Sequence, residues 1–164
     1  PDERYMKIIK ELKPAQATLV PDPPHVLTSN NGWDITKDKE YLKGIIDELH
    51  ISGARVSLFV NPDEKSIVEA AKLAADRIEL YTGPFANQFP HNPEQAVQDY
   101  TYAAKIAGEC GLKVNAGHDL NLDNLSFFKE HVNPLSEVSI GHALISDALY
   151  YGIQNTIKKY KQCL

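Results

Sequence analysis

No run of apolar residues in this 164-residue sequence approaches the ~18 needed to span a bilayer. The opening PDERYMKIIKELKP has neither the apolar core of a signal peptide nor a basic leader, so a cytosolic protein is expected and a membrane-bound one is not. Cysteine is scarce. Cys110 and Cys163 are too few for a disulfide framework in a domain this size and read as reduced thiols. A basic excess is also missing, since 17 Lys and Arg stand against 22 Asp and Glu for a net charge of −5. That balance argues against nucleic acid as a partner but leaves room for a local anion site. There is no G-x-G-x-x-G, no G-x-x-x-x-G-K-[ST], no H-E-x-x-H and no C-x-x-C, so dinucleotide, P-loop, zincin and thiol-redox chemistry lack their mechanical parts. Ligand-like spacing of histidines and acids is absent as well, and no metal is expected.

What the sequence does contain is an alternation. Apolar, β-branched runs recur at QATLV (16–20), ARVSLFV (54–60), RIELYTG (77–83), LKVNAG (112–117) and EVSIGHAL (137–144), each reading as a short buried strand. Helical spacing fills the intervals. A helix is expected over 2–12, and another over 37–51 with Tyr41, Leu42, Ile45, Ile46 and Leu49 on its apolar side. Pro62-Asp63 opens a third, and Asn92-Pro93 starts a fourth that stops near Gly111. Two more cover 122–131 and 146–160, the last ending in basic residues that suit the negative end of a helix dipole. The one long non-helical insertion, 22–34, is rich in Pro, Asn, Ser and Gly and reads as a lid or a surface excursion. One domain, 1–164, of the form α-(βα)5 results. Two architectures accept it: a five-stranded doubly wound sheet, or part of a (β/α)8 barrel.

In either architecture a ligand meets the carboxyl ends of the strands. Glu79 interrupts the apolar residues of RIELYTG, where a carboxylate is costly unless paired. It is either bonded to a neighbouring strand's arginine or backbone, or a functional acid whose proton affinity is raised by burial. His118 follows LKVNAG directly, with Asp119 next, and reads as a proton-transfer group or as a cap on the following helix. Gly141-His142 ends the next strand and leads into a helix whose first amides are free to hold an anion such as phosphate. Two Gly-His pairs closing consecutive strands point to one pocket. His25, His50, His91 and His131 are weaker candidates, placed in loops or near helix ends.

The segments ATLVPD, ARVSLFV, RIELYTGPFA, LKVNAGHDLNLDNL and VSIGHALISDAL, in this order, resemble the pyridoxine 5′-phosphate synthase family of vitamin B6 biosynthesis, from about Pro14 onward. The resemblance implies a TIM barrel, a transferase that condenses 1-deoxy-D-xylulose 5-phosphate with 3-amino-2-oxopropyl phosphate, small phosphorylated substrates, no metal or organic cofactor, and a homo-octamer. Carried over by position, it makes His118 the general acid and Glu79 the strand-end glutamate that supports proton transfer. Gly141 and His142 become the phosphate-binding turn, Thr28 a substrate contact on the closing loop, and Asp119 a substrate-side residue where the family commonly has glycine. The family's Asn-x-Asp-His, His-Leu-Arg and Glu-Met segments do not occur here. The expectation is therefore an incomplete barrel of five βα units, corresponding to strands four to eight, with two long sheet edges and without some essential bases. A non-catalytic fragment of that enzyme and a receiver-like signalling domain are the alternatives; the latter lacks an acidic cluster and a strand-end Lys.

Overall fold

A computed structural model describes residues 1–23, 25–26 and 28–164. The chain opens with helix α1 (Glu3–Leu12), whose N-cap Asp2 accepts a hydrogen bond from the Tyr5 amide, and continues into β1 (Gln16–Leu19). Then follow α2 (Lys39–Ile51), β2 (Arg55–Val60), α3 (Glu64–Lys72) capped by Asp63, and β3 (Arg77–Leu80). After them come α4 (Gly83–Gln88), α5 (Pro93–Glu109) capped by Asn92, β4 (Lys113–Gly117), α6 (Leu125–His131), β5 (Glu137–Ser139), α7 (His142–Tyr151) and α8 (Ile153–Gln162).

All five strands are parallel and lie in sequence order, β1-β2-β3-β4-β5. A doubly wound sheet reverses its order at a switch point, and this one does not. That removes the doubly wound, receiver-like alternative and leaves a curled half-barrel. The two faces of the sheet differ sharply. Val56, Leu58, Val60, Ile78, Leu80, Val114 and Ala116 pack with Leu42, Ile46, Ile67, Ala103 and Phe128 into one apolar core on the helix side. The alternate residues, Thr18, Ser57, Phe59, Arg77, Glu79, Asn115 and Glu137, take the other, concave face, because successive strand residues point opposite ways. Curling is visible in the side chains: Arg55 on β2 and Arg77 on β3 both reach Glu137 on β5, at 3.5 and 3.2 Å, although β2 and β5 would stand about 14 Å apart in a flat sheet.

Several sequence expectations are corrected. The strand expected over 137–144 ends at Ser139, since α7 already begins at His142. The single helix expected over 146–160 is two helices, broken where Gly152 adopts φ +76°. Helix α4 was not anticipated, because six residues are too few to show a helical period. Tyr41, assigned to a buried stripe, is half exposed, and its hydroxyl donates to the Pro1 carbonyl. The sheet edges are not long either: β1 has four residues and β5 three.

Candidate functional site

The concave face is polar in layers. Its buried cation is Arg77, 4% exposed, whose guanidinium donates to Asn115 Oδ1 at 3.0 Å and pairs with Glu137 at 3.2 Å. Arg55, on the neighbouring strand, pairs with Glu137 and donates to the Ala15 carbonyl. Both arginines of the face are thus engaged elsewhere than at Glu79, which stands in register with Phe59 and Asn115 one step nearer the strand ends. Among the described residues no arginine pairs with Glu79. Burial pushes its carboxyl above the ordinary carboxylate range, against the opposing pull of the His118 ring and the Thr18 hydroxyl.

His118 sits just past β4, where β4 and β5 approach closely. A Cβ on Gly117 would lie 2.0 Å from the Ser139 carbonyl oxygen, so only glycine allows β4 and β5 to approach this closely. The chain then turns through a left-handed residue, His118 itself at φ +42°, and the His118 amide donates to the Ser139 carbonyl at 3.0 Å. Its Nε2 lies 2.7 Å from the Thr28 hydroxyl, and its Nδ1 is 3.1 Å from Asp119 Oδ2. Thr28 arrives from the loop after β1, which is held by the Trp33 indole donating to the Leu19 carbonyl, the Gly32 amide donating to Asn61, and a Ser29–Asp22 hydrogen bond. Pro24 and Leu27, within the expected 22–34 insertion, lie outside the described residues.

Glu79, His118, Ser139, Gly141, His142 and Ile145 line a single cavity of about 420 Å³ at the carboxyl ends of the strands. The two Gly-His pairs do converge: the His118 and His142 rings are 6.0 Å apart, edge to face. Gly141 caps the ten-residue α7 without a side-chain hydrogen bond, so no side chain of its own competes for the first amides of that helix. Thr28 and Asp119 stand at the two nitrogens of the His118 ring rather than on the cavity wall. A larger hollow of about 640 Å³ lies between α1 and α2, remote from the strand ends and without a histidine. The smaller one is the candidate site, because that is where an acid of raised proton affinity, two imidazoles and a helix N-terminus meet.

Sequence reasoning passed over Ser139, which lines the cavity, and Thr82, a buried residue whose hydroxyl donates to the Gly117 carbonyl at 2.5 Å. Thr82 had a visible signal, a polar residue closing the RIELYTG run; Ser139 had none beyond its place before Gly141. Two of the weaker histidines have structural partners. His50 pairs with Asp76, and His131 stacks on Phe127 with Nδ1 2.8 Å from the Phe127 carbonyl.

Residues 1–164 match the family model described as "Pyridoxal phosphate biosynthesis protein PdxJ", a match that takes in α1 as well as the segment from Pro14. The chain is 49% identical over its whole length to pyridoxine 5′-phosphate synthase of Porphyromonas gingivalis, 51% to that of Christiangramia forsetii and 48% to that of Bacteroides thetaiotaomicron. In each case the alignment covers all of this chain and 69% of the relative.

Proposed function

The chain belongs to the PdxJ family of pyridoxal phosphate biosynthesis proteins, and from that membership we propose that its strand-end cavity is the active site of a pyridoxine 5′-phosphate synthase. The reaction is the condensation of 1-deoxy-D-xylulose 5-phosphate with 3-amino-2-oxopropyl phosphate, closing the pyridine ring with release of phosphate and water. The five βα units form part of a (β/α)8 barrel, and the whole protein assembles as a homo-oligomer, an octamer by family likeness. The observation that carries the reading is the convergence of Glu79, His118 and Gly141-His142 on one cavity.

The roles follow from position. His118 Nε2 is the ring nitrogen nearer solvent-accessible groups, and the Thr28 hydroxyl 2.7 Å from it occupies the place a substrate oxygen would take. Substrate exchanges with that hydroxyl, and the imidazolium donates its Nε2 proton to the leaving oxygen. Glu79, whose proton affinity burial raises, accepts and returns protons at the ring-forming carbons. The first amides of α7 and the His142 side chain hold a substrate phosphate, the helix dipole favouring the anion.

His118→Ala in the full-length protein tests this. Turnover should fall by at least ~100-fold, the scale of lost general-acid catalysis, while binding of a phosphorylated substrate persists in calorimetry. Unchanged turnover would remove His118 from the reaction.

A further inference from the structure

We propose that Asp119 is a positioning residue for His118, holding its imidazole in the tautomer that leaves Nε2 free for proton transfer, rather than a residue that touches substrate; the inference rests on the synthase reading of the cavity above. Neighbours in an extended strand point to opposite faces, so the side chains of residues 118 and 119 meet only because the backbone turns left-handed at His118, φ +42°. The consequence is a file of three groups: Thr28 Oγ1 2.7 Å from Nε2, the imidazole, then Asp119 Oδ2 3.1 Å from Nδ1. Nδ1 is shut off from solvent and makes no aligned hydrogen bond to any group among the described residues, so the Asp119 carboxylate is the acceptor within its reach.

Asp119 is itself anchored. Its amide donates to Thr82 Oγ1 at 3.2 Å, while the single Thr82 hydroxyl proton goes to the Gly117 carbonyl at 2.5 Å. The longer 3.4 Å approach of that hydroxyl to Asp119 Oδ2 therefore carries no donated proton at the same time, and the carboxylate is left to take one from Nδ1–H. The carboxylate does not line the cavity, which spares a bound phosphate its repulsion. In the reaction the proton released is the one on Nε2, and the Nδ1 proton stays with the ring, facing the Asp119 carboxylate 3.1 Å away.

The test compares Asp119→Asn, Asp119→Gly and Asp119→Glu in the full-length protein labelled with 15N-histidine. In the parent protein the neutral His118 ring should show the Nδ1–H tautomer. D119N and D119G should shift it toward the Nε2–H form and lower kcat by at least ~10-fold, the loss of an orienting carboxylate costing up to about 10⁴-fold in a catalytic triad, with KM within about twofold. D119E should recover part of the rate. An unchanged tautomer in both D119N and D119G would overturn the inference, and so would a raised KM with kcat retained, which would make Asp119 a substrate contact. If the parent protein fails to turn over the two phosphorylated substrates, the synthase reading fails, and the tautomer readout still decides the role of Asp119.

Discussion

Glu79 holds a carboxylate where the strand pattern calls for an apolar side chain, and its environment is only partly compensating. A carboxyl whose proton affinity is raised on folding binds its proton more tightly in the folded than in the unfolded chain. Its contribution is neutral below the unfolded pKa, and stability is lost as pH rises from there through the folded pKa. Glu79→Gln should therefore raise Tm at pH 7, with the advantage vanishing below pH ~3.5, where the carboxyl is protonated in the folded and the unfolded chain alike. Thermal melts of the two proteins across pH check the sign, and turnover of the variant should fall despite the gain in Tm. The unusual placement of this residue was legible, because a charge in a buried run is conspicuous. So was that of His118, as a polar residue closing a strand on a glycine. The meeting of His118 with Asp119 was not, since it depends on a left-handed turn that a non-glycine residue rarely takes.

Among the elements, the β4–β5 pair carries the site. Adding one methyl at Gly117 drives a carbon into the Ser139 carbonyl, so Gly117→Ala should cost about 3 kcal/mol or more in urea unfolding and abolish turnover by separating the two strand ends. Gly111, which also stands next to this strand but at φ +78° with open space around it, should cost about 1 kcal/mol on the same change, from backbone strain alone. Strands and long helices were readable from their periods and caps: Asp2, Asp63 and Asn92 each accept the amide hydrogen bond expected at a helix start. Helix α4 escaped because tertiary packing makes it. Phe85 is buried between Phe89, Tyr100 and Phe128, with ring centroids 5.3, 5.8 and 4.9 Å away, and six residues have no detectable period of their own.

At the scale of the whole molecule, the two candidate architectures could not be separated by hydrophobic pattern, since both bury parallel strands on both faces. Strand order and the polar concave face separate them, and neither is local in sequence. The curl is tied by Glu137, which two arginines share. Glu137→Ala leaves the buried Arg77 guanidinium with Asn115 alone and should destabilise by about 2 kcal/mol, whereas Arg55→Ala, at the exposed end of the same cluster, should cost under ~1 kcal/mol. Chemical denaturation of the two variants side by side measures the difference. The backbone bond from the His118 amide to the Ser139 carbonyl, two residues before Gly141, reaches further than stability. It gears His118, the proposed proton donor, to the proposed phosphate cradle at Gly141-His142 as a caliper with one fixed opening. A substrate analogue one methylene longer between its phosphate and its leaving oxygen should still seat its phosphate, yet present that oxygen out of reach, so discrimination by length appears in kcat and not in affinity.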